Sequence, residues 1–239
     1  MGTYKNELLA ALSATDIHRL APHLSPVVFK RNLTLHNPGE TVDTVYFLEE
    51  GICSVVVTMQ DGATVEVGIL GRDGFVGAPA LLGTDHSPNH SFIQIPGHGY
   101  SIKASVLLQQ SETSAALLSM LQRSIQGLMV QTAQTAACNR VHDLPERLAR
   151  WLLMCRERVG ADRLDITQEF LAMMLGTRRT TVTVAAGVLQ KAGLIAYTRG
   201  HVTIKDHAGL KKAACECYGI VHDEYVRLGL LQGPRKRRR

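Results

Sequence analysis

The chain has 239 residues, of which 45% are hydrophobic and 20% charged, with a formal net charge of +5. That mix excludes a disordered or fibrous polymer, and the length is enough to bury real cores in more than one domain. No run approaches the about 18 unbroken apolar residues of a membrane-spanning helix. Met1 to Glu7 also lacks the basic-then-apolar layout of a signal peptide, so a cytoplasmic chain with no membrane partner is expected.

The charge is uneven. Residues 1–140 carry 8 Lys/Arg against 11 Asp/Glu, residues 141–234 carry 13 against 10, and Arg235 to Arg239 are all basic. A basic second half and tail point to a polyanionic partner. The five cysteines, Cys53, Cys138, Cys155, Cys215 and Cys217, are odd in number and scattered, which argues against a disulfide framework and for a reducing compartment.

In chain order, Leu8, Leu9 and Leu12 recur at helical spacing, and Ser13-x-x-Asp16 starts a second short helix that Pro22 limits. From Val27 to Val106 short β-branched or aromatic runs alternate with glycine. Asp61-Gly62 between Ser54–Met59 and Thr64–Val67 predicts a hairpin in which both turn positions take φ > 0. Strands at this spacing suggest a jelly roll or small barrel. Residues 111–137 contain no proline, and Leu118, Leu121, Ile125, Leu128 and Thr132 are spaced as an a/d seam. The stripe fits either a partner helix in a dimer or the helix's own domain; its narrowness and uncharged polar flanks favour the partner.

Asp143-Leu144-Pro145-Glu146 opens a new helix, with proline at an early position. Thr167 can cap a short helix bearing Phe170, Leu171 and Met174. Gly176 stands where that helix must stop, and Thr177 can cap the next. In this next helix Val182, Ala185, Ala186 and Leu189 face inward, while Arg178, Arg179, Thr180 and Thr183 lie at its start or outward face. Leu194 to Ile204 then reads as a β-hairpin whose tip holds Arg199 and His201. A helix, a short glycine turn and a second helix with arginines at its start, followed by a basic wing, form a major-groove reader.

In this order of parts the chain resembles the cyclic-AMP receptor/fumarate-nitrate regulator (Crp/Fnr) superfamily of bacterial transcription factors. Pro38-Gly39-Glu40-x-x-Asp43-x-Val45-Tyr46-Phe47-Leu48-Glu49-Glu50-Gly51 and Gly71-Arg72-Asp73-Gly74-Phe75-Val76-Gly77 resemble its sensor module. The resemblance implies an α+β fold: a cyclic-nucleotide-binding-like jelly roll over 1–110, a dimerisation helix over 111–138, a winged helix-turn-helix over 139–234, and the basic tail 235–239. It implies a homodimer on a palindromic operator of double-stranded DNA, and contact with RNA polymerase. The base-reading positions map onto Arg178, Arg179, Thr180 and Thr183, and the phosphate contacts onto Thr167 and Gln168, to which Thr177, Arg199 and His201 are added by their places at the helix start and wing. The dimer seam would be Leu118, Leu121, Ile125 and Leu128.

Two departures concern the effector pocket, Gly77, Ala78, Asn89, His90 and Ser91. Cyclic-nucleotide-binding members have Gly-Glu where this chain has Gly77-Ala78. They also carry an arginine for the cyclic phosphate where it has Pro88-Asn89-His90-Ser91. A buried phosphate without a cation is expensive, so cyclic AMP is not expected to bind tightly, and the small-molecule effector stays unidentified. His86, His90 and His98 leave open a haem- or metal-dependent sensor, and the sensor could also act through protein contacts. On a helix Cys215 and Cys217 would point apart. No cofactor, metal or catalytic residue is therefore expected, and an enzyme is not, since no nucleophile elbow or phosphate-binding glycine motif is present.

Overall fold

The computed structural model describes residues 4–198 and 200–231. Asn6 caps α1 (Glu7–Ala11) by accepting from the N–H groups of Leu8 and Leu9, and Ser13 caps α2 (Ala14–Leu20) at Asp16. Seven strands follow: β1 (Ser25–Phe29), β2 (Thr34–His36), β3 (Thr44–Leu48), β4 (Ile52–Thr58), β5 (Thr64–Leu70), β6 (His90–Ile95) and β7 (Gly97–Lys103). They form two antiparallel sheets in the orders β1-β7-β3 and β2-β6-β4-β5. Phe29, Leu48, Val55, Leu70 and Ile93 pack together between them, the double-sheet layering expected of a jelly roll. The β4–β5 hairpin forms, but its turn differs from the expected one: of Asp61 and Gly62 only Gly62 has positive φ. Five residues link the strands, so one left-handed position suffices, and Asp61 Oδ1 instead accepts the Ala63 N–H at 3.0 Å.

Helix α3 (Ala104–Thr113) breaks at Ser114, whose hydroxyl caps α4 (Ala115–Val141) through the Leu117 N–H at 3.1 Å. The long helix thus starts later and ends later than expected. Asp143 opens α5 (Leu144–Val159), with Glu146 reaching back to the Asp143 N–H at 3.2 Å. Then come β8 (Arg163–Leu164), α6 (Gln168–Met174), α7 (Arg179–Lys191), β9 (Ile195–Thr198), β10 (His201–Ile204), α8 (His207–Ala213) and α9 (Cys217–Arg227). The wing gains a strand that the sequence did not suggest, in the order β8-β10-β9.

The two halves share their cores. Ile52, Val56, Ile69 and Phe92 of the four-stranded sheet pack with Trp151 and Leu152 of α5 and with Leu171 and Met174 of α6. In return, Val221 and Tyr225 of α9 enter the cluster built by Leu8, Phe47, Leu107 and Leu121. Polar links cross the same boundary. Arg158 Nη2 meets Asp73 Oδ2 at 2.6 Å with both side chains essentially unexposed, and Trp151 Nε1 donates to Glu66 Oε1 at 2.6 Å. A Cβ on Gly71 would stand 2.9 Å from Arg158 Cβ, so only glycine lets α5 come this close. Arg150 and Arg158 are buried; they contribute to the basic count of the second half but not to its surface.

Candidate nucleic-acid interface and effector cavity

The helix-turn-helix is built by local signals. Thr167 Oγ1 accepts the Phe170 N–H at 3.2 Å and starts α6. Gly176, at φ +60°, ends it, with its own N–H bonded to Met173 O and the Thr177 N–H to Ala172 O; these paired bonds satisfy the last carbonyls. Thr177 belongs to this helix end and does not cap α7, contrary to the sequence expectation. The α7 N-cap is Arg178, which makes no side-chain capping bond. Val182, Ala185, Ala186 and Leu189 are buried as expected, which turns Arg178, Arg179, Thr180, Thr183 and Val184 outward, all exposed. Val184 is 68% exposed, an apolar group of the kind that meets a thymine methyl.

Two contacts order this surface. Arg179 Nη1 lies 2.8 Å from Glu169 Oε1, with both side chains largely in solvent; such a pair is worth little in energy but sets a direction. The Thr183 hydroxyl lies 3.0 Å from Gln168 Oε1 and 3.1 Å from the Arg179 carbonyl. Gln168 is therefore tied to α7. The wing is anchored to α7 by the Tyr197 N–H donating to Gln190 Oε1 at 2.8 Å, and His201 pairs across the hairpin with Thr198. Arg199 and the tail 235–239 lie outside the described residues.

A cavity of about 480 Å³ opens between the jelly roll and α4. Its walls include Val55, Leu70, Phe75 and Val76 from the barrel, Ile125, Leu128, Met129 and Thr132 from α4, and Gly77, Ala78, Asn89 and Ser91 from the expected effector site. Among the described residues that line it there is no Lys, Arg, Asp or Glu. Its one imidazole, His36, sets Nε2 2.8 Å from the Thr44 carbonyl, and burial lowers its pKa, so it is a poor cation. Contrary to the sequence expectation, His90 does not line the cavity. Strand side chains alternate, so while its neighbours Asn89 and Ser91 do, His90 lies 3.1 Å from Thr34 Oγ1 and stacks on Phe92. His86 and His98 sit instead beside Asp85 and Glu50. Among the described residues, none of these three histidines belongs to a grouping of metal-ligand side chains.

The seam expected on α4 is also redistributed. Leu121 is 1% exposed in the chain's own core, Ile125 is buried there too, and Leu128 covers Gly68 of β5. Gln131 fixes this orientation: its Oε1 accepts the Ile69 N–H at 3.2 Å, and its Nε2 donates to the Ile69 carbonyl at 3.0 Å. Of the four seam residues only Leu118 is exposed, on a face shared with Gln122, Met129 and Ala133.

A nucleotide-pocket-like barrel joined by a long helix to a winged helix-turn-helix defines a DNA-binding transcription regulator. Sequence comparison agrees: the cyclic nucleotide-binding domain matches residues 26–114 and the Crp-like helix-turn-helix domain residues 146–213. The chain belongs to the Crp/Fnr superfamily of bacterial transcription regulators. It is 25% identical over 191 residues to the global nitrogen regulator of Nostoc sp., covering 75% of this chain and 85% of that one. It is 25% identical over 218 residues to the CRP-like cAMP-activated global transcriptional regulator of Mycobacterium tuberculosis, covering 87% and 96%. Among solved structures, FixK2 from Bradyrhizobium japonicum shares the fold at TM-score 0.70 and 15% identity, covering 80% of this chain and 98% of that one.

Proposed function

We propose that the chain acts as a homodimer that sets α7 of each protomer into the major groove of a palindromic operator and responds to an uncharged effector rather than to cyclic AMP. The observation that carries the DNA reading is the outward face of α7, where Arg178, Arg179, Thr180, Thr183 and Val184 stand together on a helix held by its buried side. Thr167 and Gln168 at the start of α6, Thr177 just past its end and His201 in the wing would meet the backbone phosphates bordering that face. The dimer contact uses the α4 face of Leu118, Gln122 and Met129, since Leu121 and Ile125 are committed to the protomer. Contact with RNA polymerase rests on family membership.

Arg179→Ala tests the reading helix. It is expected to weaken binding to an operator selected from a random duplex pool by about 1–3 kcal/mol, and binding to random duplex by much less. Gel-shift titrations at one fixed salt concentration measure both, and equal losses would remove the base-reading role. The cavity supplies the effector argument: its lining is mainly apolar and without a cation, so a cyclic phosphate would enter unpaired. Saturating cyclic AMP is accordingly expected to leave the melting temperature unchanged. A saturable rise of several degrees would refute this.

A further inference from the structure

Cys138 stands near the end of α4 and His142 just past it, four residues on and hence on the same side. Cys215 lies in the link between α8 and α9, and Cys217 is the first residue of α9. Because Cys215 precedes the helix, the divergence expected of a helical Cys-x-Cys pair does not arise. The three sulfurs and a His142 nitrogen lie within 4.8 Å of one another. Cys138 Sγ is 3.5 Å from Cys215 Sγ, and Cys217 Sγ is 3.5 Å from His142 Nδ1. A tetrahedral ion with zinc–sulfur bonds of about 2.3 Å and a zinc–nitrogen bond of about 2.0–2.1 Å requires ligand separations of roughly 3.5–3.8 Å.

We propose that Cys138, His142, Cys215 and Cys217 form a tetrahedral Cys3His zinc site that clasps the end of α4 to the start of α9.

The surroundings suit the ion. His142 Nε2 lies 3.0 Å from the Glu216 carboxylate, an arrangement that keeps the proton on Nε2 and turns the Nδ1 lone pair toward the sulfurs. Gln134 Nε2 donates to Cys217 Sγ at 3.1 Å. The cysteines are buried and form a cluster of their own, with no aliphatic side chain in it. On binding, each thiol gives up its proton to solvent and the site carries one net negative charge. The guanidinium of Arg150, which acts electrostatically on Cys138, would offset it. Zn²⁺ is the choice over harder ions because thiolate and imidazole donors select it and the four ligands close the coordination shell.

The full-length reduced chain is titrated with Co²⁺ under anaerobic conditions, followed by Zn²⁺ competition. One equivalent is expected to give thiolate-to-cobalt charge transfer and the intense visible bands of a tetrahedral site, both erased by Zn²⁺. Cys217→Ser and His142→Ala are expected to lose these bands, Cys53→Ala to keep them, and Glu216→Gln to weaken affinity about 10–100-fold while remaining folded. Zn²⁺ should also raise the melting temperature of the wild type and of Cys53→Ala, and leave that of Cys217→Ser and His142→Ala unchanged. Absent bands in the wild type, bands that survive Cys217→Ser and His142→Ala, or a Cys138–Cys215 disulfide whose reduction restores no metal binding would each overturn the proposal. None of these readouts depends on DNA, so failure here leaves the operator-reading proposal intact.

Discussion

Asp73→Ala is expected to destabilise the chain by about 3–5 kcal/mol, because it leaves the Arg158 guanidinium buried without its counter-charge. Arg158 cannot escape to solvent: its side chain is 1% exposed, its Nη1 donates to the Met154 carbonyl at 3.0 Å, and its guanidinium carbon stands 5.4 Å from the Tyr225 ring centroid. The pair joins the barrel to α5, and Tyr225 brings α9 into the same knot, so the loss should appear as one cooperative shift of the urea midpoint. Asp73→Ala combined with Arg158→Met is expected to recover most of the stability, since removing both charges removes the desolvation cost. If the single change costs under about 1 kcal/mol, the pair is not holding the two halves together.

Glu66 should contribute a loss of stability between about pH 4.5 and 7, and Glu66→Gln should remove that contribution. Burial lifts the Glu66 carboxyl from 4.5 to about 7, against the opposing pull of the Trp151 hydrogen bond and the Arg158 and Arg150 charges. The sign follows from proton counting. Below the unfolded value both states hold the proton and nothing is lost. As pH rises, the unfolded chain releases it first, and stability declines until the folded carboxyl also ionises near 7. A shift of this size corresponds to roughly 3 kcal/mol over the window. Glutamine keeps an oxygen for Trp151 Nε1 and cannot ionise, so at pH 8 the variant should be more stable by about 1–3 kcal/mol. Chemical denaturation at four or five pH values gives both curves; parallel profiles would mean that Glu66 does not titrate in this window.

The helix-turn-helix was legible because its signals are local. Thr167, Gly176 and the buried residues Val182, Ala185, Ala186 and Leu189 obey capping rules and the 3.6-residue period, and these need only neighbours in sequence. The errors came where a side chain's role is set from elsewhere. His90 missed the cavity by the two-residue parity of a strand. Thr177 ends α6 and does not start α7, because the Gly176 ending needs its N–H. Leu121 and Ile125 fit an a/d stripe, but a stripe specifies an apolar partner without saying whether that partner is another protomer or the protein's own barrel. Here Gln131, by gripping the Ile69 backbone, turns the stripe inward.

The sequence by itself determined the α+β class and the order of barrel, long helix and winged helix-turn-helix, because periodicity, caps and residue types are properties of short segments; the absence of a phosphate cation was legible only through the family resemblance. Tertiary structure alone decided that the two halves share their cores, that Asp73 and Glu66 are buried against α5, and that Cys138-x-x-x-His142 meets Cys215-x-Cys217. Each of these depends on α5 and α9 folding back onto the first half of the chain, where burial changes what a charge or a thiol costs and which partner it can reach.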